Sequence, residues 1–447
     1  MRLAWILLLA VLPAPAADQA DQAAGRGPLE LSLKRAVEIA VSPEGNTRIQ
    51  LSGEALKQAQ SRSAQARAAL LPDLEASVGE RNQTANLAAM GINIVVPIPN
   101  FHFPTFVGPF TTMDARATVT QSVFDFSSIR RFQASKVGVS AARSDVDSTE
   151  EQVAAQVARA YLAAVRADAD VETAQSDVTL AEAVLKQAEN QKAAGTGTGI
   201  EITRAKVQLA NDRQRLLVAG NQRTSARLQL MRVMGLRLDT GMQLTDKLAY
   251  LPVDAVTIEQ AKAQALKERP DLKAQQEPEA NARMAASATK LERLPSLTAF
   301  GDYGSIGPGF DNALPTRTYG ISLRVPVFDG GRRDARRAES ASQYRAEKVR
   351  TNDLKEQIDL DVRLALDGLE SAQEQVKVAK EGLELAENEL TQARRRYDAG
   401  VAIGVEVTDA QTRLERARDN QTEALYNYNV ARLDLAQATG KVRSMVQ

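Results

Sequence analysis

The distribution of proline constrains the fold of this chain more than any other feature of its sequence. All 16 prolines lie within residues 13–109 or 252–326, and residues 110–251 and 327–447 contain none. Because proline breaks the interior of a helix, the two proline-free blocks predict two long helical regions. Residues 127–193 contain a single glycine. A helix of that length would run roughly 100 Å, which is longer than a single globular domain can bury.

The two blocks also resemble each other in sequence. The pattern A-G-x-x-x-G-x-E-x-T-x-A occurs at residues 194–205 and again at 399–410. Leu-Pro pairs at 71–72 and 294–295, and Val-Phe-Asp at 123–125 and 327–329, precede it in the same order. Such ordered self-similarity indicates an internal duplication. We therefore predict two halves with one plan, residues 17–240 and 241–447.

In each half, apolar residues follow the spacing of a coiled coil. Steps of three and four residues alternate, and alanine occupies every second position, so two helices can approach closely. A helix, a short glycine-containing turn and a returning helix then form an antiparallel hairpin. The positions in the first half are Val153, Val157, Ala160, Ala164, Ala167, Val171, Ala174, Val178, Ala181, Leu185 and Ala188. Those in the second are Ile358, Val362, Ala365, Leu369, Ala372, Val376, Ala379, Leu383, Ala386, Leu390, Ala393 and Tyr397.

The returning helix, about 201–235 in the first half, is only about half as long as the helix before it. We expect a further helical segment to stack end to end on it and complete the return. The segment at about 256–291 is the candidate, and about 31–70 is its counterpart in the first half.

The N-terminus is typical of a secretory signal peptide over residues 1–16. Arg2 supplies the positive start, residues 3–12 are an apolar run, and Ala14-Pro15-Ala16 is a small-residue cleavage site. A membrane anchor is the alternative, but the run is too short to span a bilayer. The sequence therefore predicts an exported protein.

Short runs of alternating polarity lie between the helical regions, at about 74–79, 115–123, 296–299 and 319–325. Alternation with period two predicts strands. All ten phenylalanines fall within 101–132 or 300–328, beside these runs, as aromatic residues do at the ends of outer-membrane strands. A small soluble sheet is the alternative, and the export signal favours the membrane. The first half has 19 more residues between Leu-Pro and Val-Phe-Asp. We predict that they form a long loop within Asn82–Thr112, in which His102 has no role.

Four strands cannot close a barrel, and open sheet edges are not tolerated in lipid. Several chains must therefore share one barrel, and three copies would supply twelve strands. The predicted fold is mainly α with a small β part: long antiparallel coiled-coil hairpins and four strands contributed to a trimeric, twelve-stranded barrel.

Composition argues against most enzyme chemistry. The chain has no cysteine and one histidine, which excludes disulfides, thiol catalysis, cysteine-ligated zinc and a cysteine-linked lipid anchor, and disfavours a histidine metal cluster or a Ser-His-Asp triad. Its formal net charge of zero disfavours nucleic-acid binding. The glycine-rich stretch at 195–199 lacks the following Gly-Lys-Ser/Thr of a phosphate loop. We expect no catalytic activity, cofactor or metal.

The order and duplication of these motifs resemble the TolC-like family of outer-membrane efflux proteins. The stretch from Arg396-Tyr397-Asp398-Ala399-Gly400 to Val407-Thr408-Asp409-Ala410 is similar to that family's hairpin tip, and the Leu-Pro and Val-Phe-Asp motifs also match. The resemblance implies a homotrimer in outer-membrane lipid with a long periplasmic tunnel. It also implies a periplasmic adaptor and an inner-membrane pump of the RND, ABC or a similar class. Such a channel is a passive exit duct for drugs, metals or secreted proteins.

The resemblance places functional residues at the hairpin tips, which dock the adaptor and open like an iris. The docking residues are then Gly195, Gly199, Thr203, Gly400, Gly404 and Thr408. Glu406 and Asp409 would become six carboxylates in a trimer, a cation-selective ring. Their counterparts are Glu201 and Arg204, and Arg204 is a candidate for an interhelical salt bridge in the closed state. Alternatively, all four are solvated first-turn residues, with the glutamates favouring helix N-termini.

Two other classes of protein share some of these features. An exported coiled-coil scaffold without a pore would have the helices but no need of the four alternating strands. A membrane-fusion adaptor would have one hairpin flanked by barrel and lipoyl-like domains, whereas this chain has two hairpins.

Overall fold

The computed structural model describes residues 29–92, 94, 97–99, 104–254 and 256–446. The predicted signal peptide and His102 lie outside the described residues. The same order of elements runs twice along the described chain, and the mainly helical fold with a small sheet is confirmed. In the first half the elements are β1 (Leu29–Leu31), α1 (Leu33–Val41), α2 (Thr47–Ala68), β2 (Asp73–Asn86), β3 (Phe106–Phe124), α3 (Phe126–Ala193) and α4 (Gly199–Met234). In the second they are β4 (Met242–Leu244), α5 (Ile258–Glu268), α6 (Pro270–Leu291), β5 (Ser296–Gly307), β6 (Leu314–Arg324), α7 (Arg332–Asp398), α8 (Gly404–Ala438) and α9 (Val442–Val446).

The long helices α3 and α7 have 68 and 67 residues, or about 100 Å each. Helix α3 begins where Asp125 caps it, with the carboxylate accepting a hydrogen bond from the Ser127 amide at 2.9 Å. Helix α4 packs on α3, and α8 packs on α7. The predicted alanine-rich seams are the buried or half-buried faces of both hairpins, which confirms the coiled-coil reading of the sequence.

The segments predicted to complete each return are each broken into two helices. Pro270 has no amide hydrogen and holds Arg269 in an extended conformation, with φ −59° and ψ 119°, so α5 ends there. Ser42, before Pro43, is extended in the same way and ends α1. The segment predicted to be helical at 256–291 is therefore helical over most of its length but is broken at Arg269 and Pro270.

The end-to-end stacking also joins different pairs of helices from those that the sequence predicts. A Cβ at Gly235, at the end of α4, would lie 2.6 Å from the carbonyl oxygen of Gly45, just before α2. A Cβ at Gly440, after α8, would lie 2.9 Å from the Cα of Arg269, just before α6. Helix α2 therefore continues α4, and α6 continues α8, so each return is completed within its own half.

The four longer strands form one antiparallel sheet in the order β2-β3-β5-β6. The strands β1 and β4 form a separate parallel pair that joins the start of the described chain to its middle. In the single protomer the four-stranded sheet is open, with β2 and β6 at its edges. Apolar side chains on these edge strands are exposed, among them Leu74, Val78, Tyr319, Ile321 and Leu323.

Both ends of the predicted loop at Asn82–Thr112 are strand, because residues 82–86 belong to β2 and residues 106–112 to β3. The β2–β3 ladder pairs Asn82 with Thr111 and, after a bulge, Asn86 with Phe106. Because Met113 is the first β3 residue paired with β5, the residues of β3 before it pair with β2 alone, and this hairpin projects beyond the rest of the sheet. Asn, Gly and Thr in this stretch conceal the alternation, which is why the sequence indicated a loop.

The main apolar core lies where the two halves meet, around the middle of α3. Tyr161 is fully buried there, and its hydroxyl donates to the Leu31 carbonyl at 2.8 Å and lies 2.9 Å from a carboxylate oxygen of Asp246. The same oxygen of Asp246 accepts from the Leu33 amide at 2.7 Å. The start of α1, the middle of α3 and the segment after β4 are thereby held together.

Candidate functional site

The two glycine-containing turns lie at the ends of the helical hairpins, as the sequence predicts. Gly195 and Gly400 follow α3 and α7 with φ of 80° and 70°, in the left-handed region that favours glycine. A Cβ at either residue would have nothing within 4 Å. Both turns are therefore open to solvent on the outside of the tip.

The structure brings the two tips of one protomer into contact. The Gly404 amide, at the start of α8, lies 3.4 Å from a carboxylate oxygen of Glu201 in α4. The Gln187 amide nitrogen donates to the Asp398 carboxylate, which joins the ends of α3 and α7. The second hairpin is thus tied to the first by polar contacts at the tip.

Glu201 also caps its own helix. The other oxygen of its carboxylate accepts from the Thr198 backbone amide at 3.0 Å, completing a capping box. One side chain therefore holds the first turn of α4 and contacts the first turn of α8. Replacing it removes both the cap and the contact between the hairpins.

Glu406 is engaged within its own hairpin. Its carboxylate lies 3.1 Å from Nε of Arg396, across the turn between α7 and α8. Beside them Tyr397 is buried, and burial, with the nearby Glu201 and Asp398 carboxylates, raises the pKa of its phenol above the usual value.

Arg204 and Asp409 are exposed, and within the described part of a single protomer neither forms an ion pair. The hydroxyls of Thr203 and Thr408 donate to the carbonyls of Gly199 and Gly404, at 3.2 and 3.1 Å, within their own helices. Of the ten predicted site residues, only Glu201 and Gly404 contact each other across the two hairpins in the described chain, while Thr203 and Thr408 bond to Gly199 and Gly404 within their own helices.

A second polar cluster lies further from the tips in the helical region, and the sequence analysis missed it. Asp177 of α3, Asp212 of α4 and Glu415 of α8 are buried side by side with Arg215 and Arg418. A signal was present in α4, because Asp212 occupies a seam position between Leu209 and Leu216, where the coiled-coil pattern calls for an apolar residue.

Neither a membrane-spanning helix nor a cluster of metal ligands is found among the described residues. Across the described ranges, no helix combines the length and the apolarity needed to cross a bilayer. Among these same residues, no three histidine, aspartate or glutamate side chains are grouped as metal ligands.

Comparison with known proteins decides the family. The profile described as "Outer membrane efflux protein" matches residues 44–236 and 262–441, which is most of the chain. The chain belongs to the outer membrane efflux protein family. It is 25% identical over 342 residues to the pyoverdine export outer membrane protein OpmQ of Pseudomonas putida, covering 74% of this chain and 69% of that protein. It is 23% identical to the outer membrane protein TolC of Vibrio cholerae, covering 73% and 76%.

The fold agrees with this assignment. The structure resembles the outer membrane channel CmeC of Campylobacter jejuni with a TM-score of 0.78 and 16% identity, over 92% of this chain and 85% of that one. As an outer membrane efflux protein, the chain is a passive exit duct of an efflux or secretion system and not an enzyme. It functions in the outer membrane as a homotrimer, with an adaptor and an inner-membrane pump. The pore-free scaffold and the membrane-fusion adaptor are thereby excluded.

Proposed function

We propose that the paired tips of this efflux duct are its periplasmic gate and its docking site for the adaptor. The observation that carries the proposal is the contact between Glu201 of the first hairpin and Gly404 of the second. Together with the Gln187–Asp398 hydrogen bond, it fastens the α7–α8 tip to the α3–α4 tip. Releasing these contacts frees α7–α8 to swing outward and widen the end of the tunnel.

The gate filters ions by charge in this proposal. Glu406 and Asp409 lie in the first two turns of α8, and threefold symmetry turns them into six carboxylates at one level of the tunnel. Such a ring attracts cations and repels anions. Arg204, exposed and without an ion pair in the described single protomer, is the candidate to bridge to a neighbouring protomer in the closed state.

Docking of the adaptor involves the outer surface of the same turns. Gly195 and Gly400 leave open space where a side chain would be, so a partner's backbone can approach closely. Gly199, Thr203, Gly404 and Thr408 continue this surface into the first turns of α4 and α8.

Apolar stripes on the outside of the hairpins support packing between protomers. Helix α4 exposes Val207, Leu217 and Val218, and α7 exposes Leu364, Val378 and Leu385. Patches of this kind mark protein–protein contacts. In the trimer we place the α4 stripe of one protomer against the α7 stripe of the next, which alternates the two halves, 17–240 and 241–447, around the tunnel.

The cargo class follows from the relatives only in outline. The name of OpmQ specifies pyoverdine export, and a small organic molecule is accordingly the first cargo to test for this chain. The tunnel would be generic in this proposal, and selection among such molecules would lie in the pump.

The gate is tested by single-channel recording in planar bilayers. The double variant Glu406→Gln with Asp409→Asn is expected to lose most of the cation selectivity, while Glu54→Gln, at an exposed acid of α2 beyond the far end of α4 from the tips, leaves it unchanged. If the double variant keeps the wild-type selectivity and conductance, the tip carboxylates do not form the filter and are first-turn residues that favour the helix N-terminus.

The docking surface is tested by cross-linking in whole cells. The chain contains no native cysteine, so a cysteine at Val401, which is 69% exposed beside Gly400, gives a single reactive thiol. We expect it to cross-link to the adaptor, and a cysteine at exposed Gln58 in α2 not to. Equal capture from both positions would contradict the assignment of the tips as the docking site.

A further inference from the structure

The buried cluster missed by the sequence analysis lies where α8 packs against α3 and α4. Nη1 of Arg215 lies 2.8 Å from the Glu415 carboxylate, and Nη1 of Arg418 lies 2.9 Å from Asp177. Each ion pair joins α8 to the first hairpin. The exposed fractions of Asp177, Asp212 and Glu415 are 4%, 1% and 3%, so these carboxylates are almost completely removed from water.

The polar groups in this cluster do not all find partners. Gln208 donates from one nitrogen to both Asp212, at 3.0 Å, and Glu415, at 3.2 Å. The second carboxylate oxygen of Asp212 and the side-chain nitrogen of Gln411, both buried, have no hydrogen-bond partner among the residues that the structure describes. A buried polar atom without a partner is costly, so this junction is an unusually weak part of an otherwise apolar seam.

The charges facing Glu415 are unbalanced when all groups are ionised. Helix α3 contributes Asp177, α4 contributes Asp212 and Arg215, and α8 itself contributes Arg418 and Asp419, with Arg215 3.5 Å from Asp419. No α7 side chain bonds to Glu415 in the described part of the chain. Four carboxylates including Glu415 thus face two guanidinium groups.

A charged cavity of about 340 Å³ adjoins the cluster. Besides residues already named, it is lined by Arg166 and Asp170 of α3 and Glu423 of α8. Two more acids and one more arginine add to the excess of negative charge, and the cavity admits the water that accompanies a charged state.

Each of the three buried acids holds its proton more tightly than an ordinary carboxyl. Burial, reinforced by the Asp212 and Asp177 charges, raises the pKa of Glu415 from 4.5 to about 7. Burial also raises the pKa of Asp177 and, with the charge of Asp177, that of Asp212. The adjoining Asp170 is shifted in the same direction, chiefly by burial.

We propose that this junction is a proton-operated latch that holds the second hairpin of the duct against the first. With a proton on Glu415, α8 packs firmly on α3 and α4. When the proton leaves, repulsion among the carboxylates loosens α8 and makes outward movement of the α7–α8 hairpin easier. The latch rests on the proposed iris movement for its functional role, but its protonation and loosening are measurable without it.

The direction of the pH effect follows from proton linkage. Because the packed state holds the proton of Glu415 more tightly than a state in which Glu415 meets water, low pH stabilises packing. That stabilisation is complete below pH about 4.5 and is lost as the pH rises through about 7. A shift of this size corresponds to a change of up to about 300-fold in the equilibrium between packed and loosened states.

The test is hydrogen–deuterium exchange of α8 amides in the detergent-solubilised trimer from pH 5 to 8.5, corrected for the pH dependence of intrinsic exchange. Over this pH range we expect protection around Glu415 to fall by up to about 70-fold, most steeply between pH 5 and 7, and to level off above about pH 7. In Glu415→Gln, which cannot ionise, protection stays high and changes less than about threefold. Flat protection in the wild type, or an unchanged fall in Glu415→Gln, would overturn the proposal.

Two further variants separate the latch from a loss of folding. Asp212→Asn removes one charge that repels Glu415, so the fall in protection of the α8 amides is expected to be complete at a lower pH. Glu182→Gln is the control, because it alters an exposed ion pair between α3 and α4, Arg213–Glu182, and it is expected to show the same pH dependence of protection as the wild type. If it changed that pH dependence as much as Asp212→Asn does, the assignment of the latch to the buried acids would be contradicted. Bilayer recordings over the same pH range then address function: a latch seen by exchange, in a channel whose conductance does not change with pH, would contradict the proposed iris movement and leave the latch standing.

Discussion

The junction between α4 and α2 gives the sharpest prediction about how the tunnel is built. Gly235 ends α4 with φ of 77°, and its amide donates to the Arg232 carbonyl at 3.2 Å. Next to it the Asn46 side-chain amide donates to the Val233 carbonyl at 2.6 Å. The start of α2 therefore lies directly on the end of α4.

Replacing Gly235 by alanine has two separate costs. A left-handed conformation costs a non-glycine residue about 1–2 kcal/mol. The new Cβ would also lie 2.6 Å from the Gly45 carbonyl oxygen and 3.0 Å from its carbon, and relieving such overpacking typically costs about 1–3 kcal/mol. We expect the junction to be weakened by about 2–5 kcal/mol in total.

Gly195→Ala is the matched control, because Gly195 has φ of 80° but nothing within 4 Å of the new Cβ. Hydrogen–deuterium exchange should show the first-turn amides of α2 opening about 30- to 4000-fold more readily in Gly235→Ala, since 1.4 kcal/mol is a factor of ten. Gly195→Ala should loosen only its own tip, by about tenfold. Equal effects, or unchanged α2 amides in Gly235→Ala, would refute the end-to-end stacking of α2 on α4.

Two further substitutions test the packing of the helical region. Tyr161→Phe removes the hydroxyl that contacts Leu31 and Asp246, and we expect the free energy of unfolding to fall by about 1–2 kcal/mol in calorimetry of the purified trimer; an unchanged unfolding transition would show that this hydroxyl does not join the halves. Ala393→Leu overpacks the seam at a residue that is 3% exposed, and we expect the free energy of unfolding to fall by about 1–3 kcal/mol. The control Gln392→Leu, on the exposed face of the same helix, should leave the free energy of unfolding nearly unchanged. Equal losses in the two variants would argue against the close approach of α7 and α8.

The sequence is a good guide to the helices because proline, glycine and heptad spacing act locally. The absence of proline from 110–251 and 327–447 correctly predicted two long helical regions, although the first block also includes most of β3, and the turns at Gly195 and Gly400 followed from the repeated pattern. The end-to-end stacking was not predictable in its pairing, because it depends on the contact of Gly235 with Gly45, which lie far apart in sequence.

The strands and the latch show where local patterns fail. The β2–β3 hairpin extends through Asn82 and Thr111 because their backbones and side chains pair with each other, although residues of this type usually mark loops. The buried acids could not be recognised from the sequence pattern, because they lie on long helices that carry many charged residues. Among so many charged residues on long helices, only the seam position of Asp212 distinguishes it from a solvated neighbour, and its partners lie on two other helices.

Three copies of this chain together form one channel, because the four-stranded sheet β2-β3-β5-β6 is open in the single protomer. The most direct test is native mass spectrometry of the protein extracted from outer membranes in mild detergent. We predict a particle of three chains that separates into monomers only when it is denatured. A particle of one chain that stays folded in detergent would contradict the shared barrel and therefore the trimeric duct.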